Sequence, residues 1–79
     1  MTIKEAISQR IMQLCEENNI TINKLSTLAG ITQSTINDVV RGKSNNPTVK
    51  TIYYICLGLK IEMKDFFDSD LFDNLTDND

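Results

Sequence analysis

Residues 23–39 read N-K-L-S-T-L-A-G-I-T-Q-S-T-I-N-D-V, from Asn23 to Val39, and this stretch decides the fold. It describes two short helices joined by a tight turn. Gly30 stands where the first helix must stop, because glycine takes positive φ without a Cβ penalty. Ser26, four residues earlier, is small enough for another helix to cross closely above it. Leu25 and Leu28 before the turn, and Ile36 and Val39 after it, are each spaced three apart, so each pair lies on one face of its helix. Thr32 is placed to cap the second helix, its hydroxyl reaching the free N–H of Ser34 or Thr35. A small residue, a glycine, then apolar residues six and nine positions on is the spacing of a helix-turn-helix.

Working outward, Thr2-Ile3-Lys4-Glu5 is a capping box that starts a first helix at Ile3. Ile3, Ile7, Ile11 and Leu14 make its apolar stripe, and Asn18-Asn19 supply a stop tolerant of the left-handed conformation. Thr21 caps a second helix, 22–29, and a third runs from Gln33 to Arg41, closed by Gly42. Lys43-Ser44-Asn45-Asn46-Pro47 is turn chemistry. Thr48 caps a fourth helix whose Val49, Ile52, Ile55, Cys56 and Leu59 are expected to face inward. A short fifth helix near 62–67 brings Met63, Phe66 and Phe67. No strand pattern competes, so the expected class is all-α.

At 79 residues the chain makes one small domain that must commit nearly all its aliphatic side chains to one core. Two cysteines forty-one positions apart, each in an apolar helical pattern, read as core filler. No histidine is present and no close cysteine pair exists, so neither a metal site nor a cofactor is expected. Nucleophile elbows, P-loops and carboxylate pairs in apolar settings are all missing, which argues against an enzyme. With no long apolar run or basic-apolar leader, a cytoplasmic protein without a membrane partner is expected.

The formal charge is −3, unevenly spread. Residues 1–61 hold seven cations against four acids, a net +3, whereas residues 62–79 hold Lys64 against seven acids, a net −6. The acidity belongs mostly to the tail. The expected organisation is a domain over 1–67 and an acidic tail over 68–79, partly helical and disordered from Thr76 on.

The pieces I-T-I-N-K-L-S-T-L-A-G-I-T-Q-S-T-I (20–36), R-G-K-S-N-N-P-T (41–48) and T-I-Y-Y-I-C-L-G-L-K-I-E-M-K-D-F-F (51–67), in this order and separation, resemble the phage repressor and Cro helix-turn-helix family, also called XRE-like or lambda-repressor-like. The resemblance implies a compact five-helix DNA-binding domain whose third helix enters the major groove of double-stranded DNA. It also implies a transcriptional regulator, a repressor, working as a homodimer on an operator of two half-sites. Three positions depart from the family pattern. Ile22 stands where the family often has Gln, Lys60 where it favours Gly, and Cys15 with Val40 where many relatives pair an Arg with a Glu.

On the third helix, Gln33, Ser34, Asn37 and Asp38 share the face opposite Ile36 and Val39. Gln and Asn pair with the N6/N7 edge of adenine, Ser bonds to several bases, and Asp accepts from cytosine N4 or repels phosphate. On any surface helix such a polar face is ordinary; following this turn, it reads as base readout. Thr21, Asn23, Thr32, Thr35, Arg41, Lys43, Ser44 and Asn45 are the expected phosphate contacts. Phe67, Leu71, Phe72 and Leu75 recur after the core is filled and form the expected dimer contact, the competing reading being that this segment folds back on its own domain. An antitoxin-like or antirepressor module that binds a protein partner through the same fold is the alternative function.

Overall fold

The computed structural model describes residues 1–42 and 47–77. Among these, five helices follow in order: α1 (Ile3–Glu17), α2 (Ile22–Ala29), α3 (Gln33–Val40), α4 (Val49–Leu59) and α5 (Met63–Phe67), then one 3-10 turn (Asp70–Phe72). Among the described residues no strand forms, and the only β pairing is a single parallel bridge between Thr2 and Thr76.

The helices begin where threonines allow. Thr2 Oγ1 accepts from Glu5 N–H at 3.2 Å, and Thr2 N–H donates to Glu5 Oε1 at 2.9 Å, completing the capping box. The Thr2 N–H foremost, with the Thr2 hydroxyl adding to it, holds the Glu5 carboxyl below its ordinary pKa. Thr21, Thr32 and Thr48 cap α2, α3 and α4 by accepting from Lys24, Thr35 and Thr51 N–H. Each satisfies a donor that the helix itself leaves unpaired. Two stops also match the residues. Asn19 (φ 54°) follows α1, and Gly30 (φ 72°) closes α2 with its N–H directed to the Ser26 carbonyl at 3.0 Å.

The core collects Ile7, Ile11, Leu14 and Cys15 of α1, Leu25 of α2, Ile36 and Val39 of α3, Ile52, Ile55 and Cys56 of α4, and Phe66 of α5. Burial pushes both thiols upward in pKa, with the charges of Asp65 and Glu62 adding to the effect at Cys56. α2 and α4 cross closely enough that a Cβ on Gly58 would lie 2.8 Å from the backbone of Leu28 and Ala29. The small residue that permits this approach is thus Gly58. Ser26 is also buried, its hydroxyl donating to the Asn23 carbonyl at 2.7 Å.

Several expectations need correction. Val49 does not face inward but is 73% exposed, because it shares with Tyr53 and Leu57 the face of α4 turned away from the core, while Ile52 of the same turn is buried. Leu28 is exposed as well, leaving Leu25 as the fully buried apolar anchor of α2, with Ile22 and Ala29 packed partly buried against the core. α3 ends at Val40 with Arg41 as its C-cap, and Glu62 is the N-cap of α5. Arg10 is no free surface cation. Buried between α1 and α5, it donates from Nε to the Phe66 carbonyl at 2.6 Å and from Nη2 to the Asp65 carbonyl at 2.7 Å. A five-residue helix has few carbonyls satisfied internally, and Arg10 takes two of them while its charge meets the negative end of the helix.

The tail is likewise not disordered at Thr76. Thr76 N–H donates to the Met1 carbonyl at 3.0 Å. Phe72 packs on the core, with ring centres 6.2 Å from Phe66 and 5.0 Å from Phe67. Apolar burial and the backbone pairing hold the segment against the first turn of α1. The final two residues, 78 and 79, lie outside the described part of the chain.

Candidate nucleic-acid interface

α3 is positioned by burial on one side and capping at its start. Ile36 and Val39 point into the core, which turns Gln33, Ser34, Thr35 and Asp38 to solvent and leaves Asn37 half-buried. Thr32 fixes the entry: its hydroxyl accepts from Thr35 N–H and donates to the Thr35 hydroxyl at 2.9 Å. Thr35 is therefore held at the base of the first turn, with its hydroxyl already engaged. At the far end Ser8 Oγ donates to the Val40 carbonyl at 2.5 Å, tying α3 to α1.

The chemistry of this face is that of amides, a hydroxyl and one carboxylate. It offers paired donors and acceptors at successive helical turns, as base edges require. Around it, Thr21 and Asn23 are exposed at the start of α2, although the Thr21 hydroxyl is engaged as the cap and the Asn23 carbonyl accepts from Ser26 and Thr27. The unpaired N–H groups of such helix starts attract anions. Arg41 is exposed beyond the last turn of α3, next to Gly42 at φ 70°. Lys43, Ser44 and Asn45, expected as phosphate contacts, lie outside the described residues. Sequence reasoning missed Lys4: its side chain runs beside Gly42, with Cε 3.9 Å from where a Cβ would stand there. Its position in the first turn of α1 gave no signal of that neighbour.

The expected dimer residues divide in two. Phe67 and Leu75 remain 39% and 38% exposed, whereas Leu71 and Phe72 are half-buried by the tail's return to α1. Among the described residues no cluster of His, Cys, Asp and Glu is set to hold a metal. No helix there is long and apolar enough to cross a membrane.

A glycine-stopped helix, a short turn and a threonine-capped helix with an outward polar face define a helix-turn-helix domain. The model of the Cro/C1-type HTH DNA-binding domain matches residues 10–70, and the chain belongs to that family. It is similar over 95% of its length, at 40% identity, to prophage Lp1 protein 11, covering 99% of that chain with a TM-score of 0.82. It also resembles the restriction-modification controller protein C.AhdI from Aeromonas hydrophila, at 25% identity over 81% of this chain and 96% of that one, TM-score 0.73. A third likeness is to an HTH_3 family transcriptional regulator from Vibrio cholerae, at 25% identity and TM-score 0.77. It covers 86% of this chain but only 38% of that one. No curated protein matches the chain.

Proposed function

We propose that the chain is a sequence-specific DNA-binding transcriptional regulator, a repressor, that inserts α3 into the major groove. The observation that carries this reading is the outward face of α3, where Gln33, Ser34 and Asp38 are exposed and Asn37 half-exposed on a helix anchored by Ile36 and Val39. Gln33 and Asn37 meet base edges, Ser34 supports them, and Asp38 selects against phosphate or accepts from cytosine. Thr21, Asn23, Thr32, Thr35 and Arg41, with Lys43, Ser44 and Asn45 of the following loop, hold the sugar–phosphate backbone. Arg10 takes no part, since its guanidinium is spent on α5.

One recognition helix reads one half-site, and two half-sites lie ~34 Å apart on one face of DNA. The domain's longest extent is 31 Å, so two copies fit side by side as a homodimer. Phe67 and Leu75, the more exposed of the four tail residues Phe67, Leu71, Phe72 and Leu75, supply its contact. The likeness to a controller protein and a transcriptional regulator supports the regulatory role.

The test is binding of the purified protein to the DNA upstream of its own gene at two salt concentrations. Tight binding at one site, falling steeply with salt, is expected. Gln33→Ala is expected to cost ~1–3 kcal/mol at that site and to relax selectivity at one base pair, while Lys43→Ala weakens all sequences about equally. Unchanged site preference in Gln33→Ala would refute the readout assignment.

A further inference from the structure

We infer that the outer face of α1, together with the folded-back tail, is a docking groove for a cationic amphipathic segment of a partner protein. An open groove of about 650 Å³ runs there, lined by Gln9, Met12, Gln13, Glu16, Glu17 and Leu71. Met12 is 48% exposed and forms an apolar floor with Leu71, which the tail delivers across the helix. Such a side chain is costly to leave in water and serves as a seat for an aliphatic anchor.

The rim carries one sign of charge. Among the described residues no cation lines the groove, while Glu16 and Glu17 do, and both are exposed. The tail segment that supplies Leu71 bears exposed Asp68, Asp70 and Asp73. Arg10, bonded to the Asp65 and Phe66 carbonyls and to Gln13 Oε1, is one buried cation against the five exposed acids Glu16, Glu17, Asp68, Asp70 and Asp73, so the balance stays acidic. By contrast α2 and α4 contain no acidic residue and carry Lys24 and Lys50. An apolar floor inside an acidic rim complements a helix with leucine-like anchors on one face and lysines or arginines beside them.

The groove also lies apart from α3. Among the described residues none of α3 lines it. Ser8, bonded to the Val40 carbonyl, begins the stripe of α1 that Met12 and Glu16 continue, and Gln9 alone borders both the groove and the cleft beside Val40, Arg41 and Gly42. A partner seated in the groove therefore leaves the polar face of α3 open. This gives the acidic tail a role distinct from DNA binding and independent of whether α3 reads bases.

The probe is a short synthetic amphipathic helix, leucines on one face and lysines on the other, titrated into the isotope-labelled full chain and followed by amide chemical shifts. Shifts centred on Gln9 to Glu17 and Leu71 are expected, with silence from a counterpart whose lysines are glutamates. Met12→Lys and Glu16→Lys, both surface changes, are each expected to weaken binding about tenfold. Shifts spread over every acidic segment, or binding unchanged in Met12→Lys, would mean simple charge attraction and would overturn the proposal. Displacement of the peptide by duplex DNA would also overturn it, by making the groove part of the nucleic-acid face. DNA binding by Met12→Lys, measured separately, tells a failure of this inference from a failure of the regulatory reading.

Discussion

Lys60 sits at φ 60°, ψ 42° as the C-cap of α4, with its N–H directed to the Leu57 carbonyl at 3.2 Å and Ile61 N–H to that of Cys56 at 3.0 Å. This is the left-handed cap that glycine serves best, and a side chain there costs ~1–2 kcal/mol. The departure from the family's glycine leaves the winding of the turn unchanged and only strains it. Lys60→Gly is expected to stabilise the domain by about 1 kcal/mol, read as a higher denaturant midpoint at constant m-value. At this scale the sequence was readable wherever one residue determines its own backbone: Gly30, Asn19 and the four capping threonines all behave as their chemistry requires. Arg10 was not readable, because its partners are carbonyls fifty-five and fifty-six positions away.

Helical periodicity located the elements but not their neighbours. The spacing Val49, Ile52, Ile55, Cys56, Leu59 is consistent with one buried stripe, yet no periodicity says how far the adjoining helices extend. Val49 lies instead on the solvent face, where Tyr53 and Leu57 continue an exposed apolar row at four-residue intervals. The close crossing of α2 and α4 was equally hidden, since Gly58 reads in isolation as a weak helix former. Gly58→Ala tests that crossing. The added methyl meets backbone rather than a flexible side chain, so overpacking of ~1–3 kcal/mol outweighs the ~1 kcal/mol gained in helix propensity. A lowered midpoint is expected; a raised one would mean the helices move apart freely.

In the molecule as a whole, charge and apolar surface are segregated. The polar face of α3 was legible because burial of Ile36 and Val39 fixes which residues turn outward, whereas the loop after it holds three of the expected phosphate contacts outside the described residues. The tail was only half legible. Its apolar residues marked it for burial, and a second copy was the expected host, but their spacing alone did not exclude the competing one, the chain's own domain. With Leu71 and Phe72 half-covered, the dimer contact proposed above rests on Phe67 and Leu75. Sedimentation of the full chain and of a chain ending at Asp68 tests it at tens of micromolar protein. A dimer lost on truncation is expected, and a monomer in both would remove that contact.

The bond from Thr76 to Met1 has a temporal consequence. It joins residues seventy-five positions apart in a domain whose other structure is mainly local helix, and loop closure of that length is among the last events a folding chain achieves. An interaction formed after the rate-limiting step leaves the speed of folding untouched and instead slows escape from the native state. The returning tail is thereby a latch on lifetime. Thr76→Pro, which removes the donor, is expected to raise the unfolding rate in stopped-flow measurements while the refolding limb stays in place. Equal changes in both limbs would place the closure early. Cells clear many proteins through their opened states, so a partner that grips or releases the tail would set how long each copy of this molecule survives.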